Sequence, residues 1–120
     1  GKYYFIDNGI LSLFLMNAET ILFENLIAIY LKKKYGNDLF YLKKNNEVDF
    51  YILKEKTMIQ AAYSLHNPET ETREIKAMIN LASHVETEKM MIITLDTEKQ
   101  LQYNHHSITV IPVWKWLLAP

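Results

Sequence analysis

Glu47-Val48-Asp49-Phe50-Tyr51-Ile52-Leu53-Lys54-Glu55-Lys56-Thr57-Met58-Ile59-Gln60-Ala61-Ala62-Tyr63 is the stretch whose reading decides the fold. Its first part alternates: in a strand over Glu47–Leu53, Val48, Phe50 and Ile52 share one face, and Asp49 and Tyr51 the other. A tight turn at Lys54–Lys56 sends the chain back as a second run of β-prone residues, Thr57–Tyr63. Aspartate is disfavoured in mid-strand, so Asp49 stands out. A two-residue loop at Glu55-Lys56 would set Asp49 opposite Ala62 and Tyr51 opposite Gln60. A carboxylate, an amide and a small gap then share one face. A hard divalent cation such as Mg²⁺ or Mn²⁺ uses such oxygen ligands, with room left for water and phosphate. A solvated face carrying Asp49 and Glu47 fits the same spacing.

Upstream, Asp38–Lys43 reads as a first strand, with Lys44-Asn45-Asn46 as the turn that completes a three-strand meander. Before it, a helix opens at Asn17 or Ala18 and runs to about Lys34, where Gly36 supplies a left-handed stop. Lys32, Lys33 and Lys34 complement the negative end of its dipole. Ile10–Met16 fits a short helix or a core segment, and Lys2–Ile6 is an aromatic, β-prone run closed by the turn residues Asp7-Asn8-Gly9. Downstream, Asn67-Pro68 is an N-cap followed by a first-turn proline, opening a second helix to about His84 with Ile75, Met78, Ile79 and Ala82 as its apolar stripe. Lys89–Leu95 and Ser107–Ile111 read as strands, Pro112 ends the latter, and Val113–Leu118 closes the chain. The expected fold is α/β, a mixed sheet in the order helix, three-strand meander, helix, strand, strand, with helices packed on it as one domain over residues 1–120.

Composition narrows the chemistry. With 120 residues, 49% hydrophobic and three prolines, the chain can bury a core and is not of disordered type. The absence of cysteine excludes disulfides, thiolate catalysis and Cys-based metal sites, and fits a reducing, cytoplasmic compartment. Net charge is −1, so nucleic-acid binding needs a local basic patch. Lys32–Lys34 and the pair Lys43 and Lys44 offer one, although a dipole complement and a solvated turn explain them as well. The longest apolar runs are too short for the ~20 residues of a membrane span, so no membrane partner is expected. The start has neither the pattern of a signal peptide nor a methionine, and we read it as a boundary inside a longer protein.

Glu24 is the second unusual carboxylate. On a helical wheel Thr20, Ile21, Ile27, Ala28 and Leu31 lie around it, and a carboxylate in an apolar stripe requires a hydrogen bond, a salt bridge or a metal. Several further stretches fall in order with these: Tyr4-Phe5-Ile6-Asp7-Asn8-Gly9, Glu24-Asn25-Leu26, Glu47-Val48-Asp49-Phe50, Ile59-Gln60 with Tyr63, Pro68-Glu69-Thr70 to Arg73-Glu74-Ile75-Lys76-Ala77, and Ile111-Pro112-Val113-Trp114-Lys115-Trp116-Leu117-Leu118. Over essentially its whole length the chain resembles the C-terminal domain of unknown function numbered 4143, found on microbial AAA-type ATPases. Such domains are similar to the PD-(D/E)xK superfamily of restriction-endonuclease and Holliday-junction-resolvase folds.

The resemblance implies that Glu24 is the helix carboxylate, Asp49 the central metal ligand, Gln60 the occupant of the second acidic position and Ala62 the occupant of the motif lysine's place. Glutamine still offers a carbonyl oxygen to Mg²⁺ or Mn²⁺. Alanine cannot replace a lysine that stabilises developing charge or orients the attacking water. A lysine from elsewhere (Lys43, Lys44 or Lys76) is the remaining way to restore it. Two functions are therefore expected. One is a degenerate, non-catalytic accessory domain of an ATP-binding protein, with the ATPase portion of the parent chain and DNA or a protein as partners. The other is a weak Mg²⁺- or Mn²⁺-dependent endonuclease acting on DNA.

No Gly-rich phosphate loop is present. His105-His106 belongs to a solvated loop, since neighbours on a strand point to opposite faces and cannot readily share an ion. His66 and His84 lack partners at metal-ligand spacing. Trp114 and Trp116 pack the closing segment onto the sheet or mark an interface.

Overall fold

The computed structural model describes residues 8–44 and 47–119. Its elements, in order, are α1 (Asn8–Tyr35), a short 3-10 turn (Gly36–Asp38), β1 (Leu39–Lys44), β2 (Glu47–Ile52), β3 (Thr57–Ala61), α2 (Pro68–Ala82), β4 (Lys89–Thr94), β5 (Lys99–Tyr103), β6 (His106–Pro112) and α3 (Val113–Leu118). The expected α/β mixed sheet is present, as six strands ordered β1-β2-β3-β4-β6-β5. β1, β2 and β3 form an antiparallel meander, β3, β4 and β6 run parallel, and β5 is antiparallel at the far edge.

Side-chain alternation divides the core into two layers. Phe50, Ile52, Ile59 and Ile93 pack with Phe23, Ile27 and Leu31 of α1, and with Trp116 of α3. Tyr51, Met58, Ile92, Ile108 and Val110 pack on the opposite face with Ile75 and Met78 of α2. β4 is buried on both faces, with Ile92 and Ile93 fully shielded from water, as its unbroken apolar run requires of a central parallel strand.

α1 is one helix of 28 residues, so the separate segment at Ile10–Met16 and the start at Asn17 give way to a single element. Asn8 and Gly9 lie inside it rather than in a turn, and the expectation for Lys2–Ile6 and Asp7 falls outside the described residues. The helix stops where expected. Gly36 takes φ +55, a conformation only glycine adopts without strain, and nothing lies within 4 Å of where a Cβ would stand. α2 begins as read, with Asn67 Oδ1 accepting from the backbone N–H of Glu69 at 2.8 Å and of Thr70 at 3.4 Å, and Pro68 in the first turn.

Two readings need correction. The β2–β3 loop has four residues, not two. The Lys56 amide donates to the Leu53 carbonyl at 3.2 Å, Leu53 N–H donates to the Asp38 carbonyl at 3.1 Å, and the Asp38 carboxylate accepts from Lys54 N–H at 3.1 and 3.2 Å. Asp38 thus holds the loop from outside the hairpin, and Lys56 closes it at φ +50. The register accordingly pairs Asp49 with Gln60 and Tyr51 with Met58. The second correction is β5, which was not expected. Asn104 and His105 both have positive φ, 46° and 72°, forming a two-residue turn that joins Tyr103 to its partner His106. His106 therefore belongs to a strand, while both histidines are exposed.

Among the described residues no helix is long and apolar enough to cross a membrane.

Candidate functional site

Where β3 ends and the chain passes towards α2, a cleft of about 360 Å³ opens between the two main helices. Its walls come from Thr20 and Glu24 of α1, Gln60, Ala62 and Ser64 at and beyond the end of β3, and Thr70, Arg73 and Glu74 of α2. Glu24 and Gln60, distant in sequence, therefore meet at one cavity, and Ala62 faces it too. The third metal-ligand candidate, Asp49, lies across the β2–β3 ladder directly opposite Gln60. Cross-strand partners on one face have Cβ atoms ~4.5–5.5 Å apart, so Asp49 and Gln60 are immediate neighbours. Both are buried, at 6% and 2% exposure, on the face that α2 covers.

α2 contributes what sequence reasoning missed. Gln60 Nε2 donates a hydrogen bond to Glu74 Oε2, and Glu74 is itself 8% exposed. Its other oxygen, Oε1, stands 3.6 Å from the Arg73 guanidinium, which is mostly exposed and therefore screened. Glu74 lies four residues before Met78 and beside Ile75, within the apolar stripe of α2. That placement carried the same signal that made Glu24 conspicuous. Gln60 Oε1, buried, has no hydrogen-bond partner in the structure. A buried carbonyl oxygen in that state carries a desolvation cost of roughly 1–3 kcal/mol.

Glu24, by contrast, is half-buried, at the margin of the inward stripe formed by Phe23, Ile27 and Leu31. Among the described residues that line the cleft, Arg73 alone is cationic. Lys76 does not line it; that side chain is exposed and borders a shallow depression with Pro68, Glu69, Thr72 and Arg73. The strand positions of Lys43 and Lys44 are described, on the edge strand β1, but their side chains are not. Among the described residues no three His, Cys, Asp or Glu side chains gather closely enough to hold a metal ion by themselves. A cation bound here would draw on carboxylates, the Gln60 amide oxygen and water. These are hard oxygen donors, suited to Mg²⁺ or Mn²⁺ rather than to softer metals.

A second cleft, about 320 Å³, lies where β3 begins, on the α1 and α3 side, and is bordered by Tyr35, Glu55, Thr57, Lys89 and Trp116. Trp116 packs edge-on against Tyr30 with centroids 4.7 Å apart, whereas Trp114 is exposed. Burial, and next the Glu55 carboxylate, push the Tyr35 hydroxyl up to about 12.

Among curated proteins, the uncharacterized protein MJ1544 of Methanocaldococcus jannaschii is 37% identical over 132 aligned positions, covering 98% of this chain and 29% of that protein. The chain thus spans less than a third of the length of the relative it matches. No family model matches it. No solved structure matches it either.

Proposed function

We propose that this chain is a PD-(D/E)xK-like domain that has lost its cleavage chemistry and serves a longer ATP-binding, AAA-type protein as an accessory module recognising a nucleic acid or a protein. The run α1, β1, β2, β3, α2, β4 supports the restriction-endonuclease-like reading, because it sets a helix and a meander before a crossover helix and a parallel strand. The pairing of Asp49 with Gln60 supports it further. Two adjacent strands then present the central ligand and the second acidic position side by side.

The observation that carries the loss of catalysis is Ala62, which faces the cleft two residues after Gln60. Phosphodiester hydrolysis needs an activated water and a cation to stabilise the charge that develops on the phosphoryl oxygens. A methyl group supplies neither. Loss of one such group removes ~10²–10³ of rate. Arg73 is paired with Glu74, and Lys76 does not line the cleft. Recognition makes smaller demands. Arg73 at the cleft mouth, with Lys43 and Lys44 on the edge strand, would meet phosphates as point charges, giving binding that weakens steeply with salt.

The test is fluorescence anisotropy with labelled linear and four-way-junction DNA at two salt concentrations, beside a pull-down against the separately purified remainder of the parent polypeptide. Salt-sensitive DNA binding or capture of that remainder is the expected result. Folded chain that engages neither would refute the proposal.

A further inference from the structure

The second cleft lies at the opposite end of β3 and shares no residue with the first. Its floor is apolar, built from Ile52, Ile59 and Met91 where β2 ends and β3 and β4 begin. Two aromatic rings border it, Tyr35 from the end of α1 and Trp116 from α3, both partly buried against the α1-side core. The rim is charged: Glu55 and Glu88 contribute two carboxylates and Lys89 one ammonium, all exposed, so the described lining carries a net charge of −1. Tyr35 adds no charge of its own. Burial first, and then Glu55, push its hydroxyl up to about 12, so it keeps its proton and donates a hydrogen bond to the Glu55 side chain. A carboxylate accepts through two oxygens, so Glu55 retains acceptor capacity beyond that bond. The neighbouring aromatic cluster already holds one cation. Lys34 Nζ lies 5.5 Å from the Tyr35 ring centroid and 5.9 Å from that of Tyr30, the ring that packs edge-on against Trp116.

We propose that this second cleft docks an arginine side chain of a partner protein, its guanidinium held by the Tyr35 and Trp116 rings and the Glu55 and Glu88 carboxylates. The methylene stem then lies on the floor of Ile52, Ile59 and Met91, which removes its apolar surface from water while the charge stays at the rim. Charge selects the class of ligand. A lining of net −1 complements one cation and repels the phosphates of a nucleic acid or nucleotide. Size agrees with that choice. At about 320 Å³ the cleft is near the lower limit of the ~300–1,000 Å³ of small-molecule pockets, room for one side chain rather than a large cofactor. Arginine suits it better than lysine, because a planar guanidinium both stacks on a ring and offers a fork of donors to a carboxylate. The inference goes beyond the nuclease-like reading and does not depend on it. It gives the domain a protein-facing surface at the end of the sheet away from Ala62.

The experiment is a nuclear magnetic resonance titration of the purified chain that follows its two indole N–H signals. Trp116 borders the cleft and Trp114 does not, so Trp114 is the internal control, and Trp114→Phe assigns the pair. The probe is N-acetyl-arginine methylamide, compared with N-acetyl-citrulline methylamide, which has nearly the same shape and no charge. Glu55→Gln and Glu88→Gln remove the rim carboxylates one at a time, and Glu69→Gln, an exposed change on α2, is the control variant. Circular dichroism verifies that each variant folds. The expected result is a saturable shift of the Trp116 signal with the arginine probe, little or none with the citrulline probe, and a still Trp114 signal. Each of Glu55→Gln and Glu88→Gln should weaken binding about 3-fold or more, as suits exposed ion pairs, while Glu69→Gln leaves it unchanged. A Trp116 signal that the arginine probe does not move, an equal response to citrulline, or equal binding in both rim variants would overturn the assignment. The titration contains no DNA and leaves the first cleft unaltered, so its outcome is separate from that of the nuclease-like reading.

Discussion

Replacing Glu74 by leucine tests whether the contact at the centre of the cleft exists in solution. The substitution removes the acceptor of the Gln60 amide at a position where Gln60 is 2% exposed and its Oε1 already lacks a partner. A buried donor left unsatisfied costs about 1–3 kcal/mol. For a domain of this length, an unfolding entropy of ~2.1 cal/mol/K per residue makes 1 kcal/mol worth about 4 °C in Tm, so a fall of about 4–12 °C is expected. Glu74→Gln keeps an acceptor oxygen and should stay within about 1 kcal/mol of the unmodified chain. In the double variant Gln60→Leu/Glu74→Leu both polar partners are gone, and an apolar pair of similar shape is nearly neutral. Its loss should fall short of the sum of the single losses by about 1–3 kcal/mol. Urea unfolding followed by circular dichroism measures the unmodified chain, Glu74→Gln, the single variants Glu74→Leu and Gln60→Leu and the double variant, with an unchanged m-value as the check on comparability. A Glu74→Leu variant as stable as the unmodified chain, or a double variant whose loss equals the sum of the singles, would refute the contact.

Two further outcomes follow from local chemistry. Asn67→Ala removes the side chain that caps α2 at the Glu69 and Thr70 amides, and should cost about 1 kcal/mol, or about 4 °C in Tm by calorimetry. Tyr35, held up to about 12 by burial and by Glu55, should remain protonated when exposed tyrosines ionise near pH 10, as read by ultraviolet absorbance. The folded state then binds the Tyr35 proton more tightly than the unfolded state does. Its contribution to stability is fully present below pH 10 and is lost as pH rises towards 12. Glu55→Gln should move the Tyr35 transition down; an unmoved transition would refute the contribution of Glu55 and leave burial as the leading cause.

Much of the frame was legible because it depends on local signals. Gly36 ends α1, Asn67-Pro68 opens α2, and the alternation around Phe50 and Ile52 sets which face of β2 meets α1. What escaped was decided by partners elsewhere. The β2–β3 register depends on Asp38, whose carboxylate and carbonyl hold the loop from before β1, and no pattern within the hairpin reveals that. β5 carries only Leu101 and Tyr103 between its polar residues, an alternation too short to mark a strand, and its turn uses Asn104-His105 without glycine. At the cleft, Asp49 and Gln60 stood out as polar residues at strand positions, and their side-by-side placement emerged only once the register was corrected. Glu74 was missed although it lies in the α2 stripe, because the partner that holds it, Gln60, sits on another element 14 residues away.

The central claim, a nuclease-like cleft that no longer cleaves, is tested most directly by incubating linear and branched DNA with the purified chain and Mn²⁺, with Asp49→Ala in parallel. The account predicts no cleavage by the unmodified chain above that of Asp49→Ala. Cleavage by the unmodified chain that disappears in Asp49→Ala would contradict it, because the cleft would then carry out catalysis with alanine at position 62.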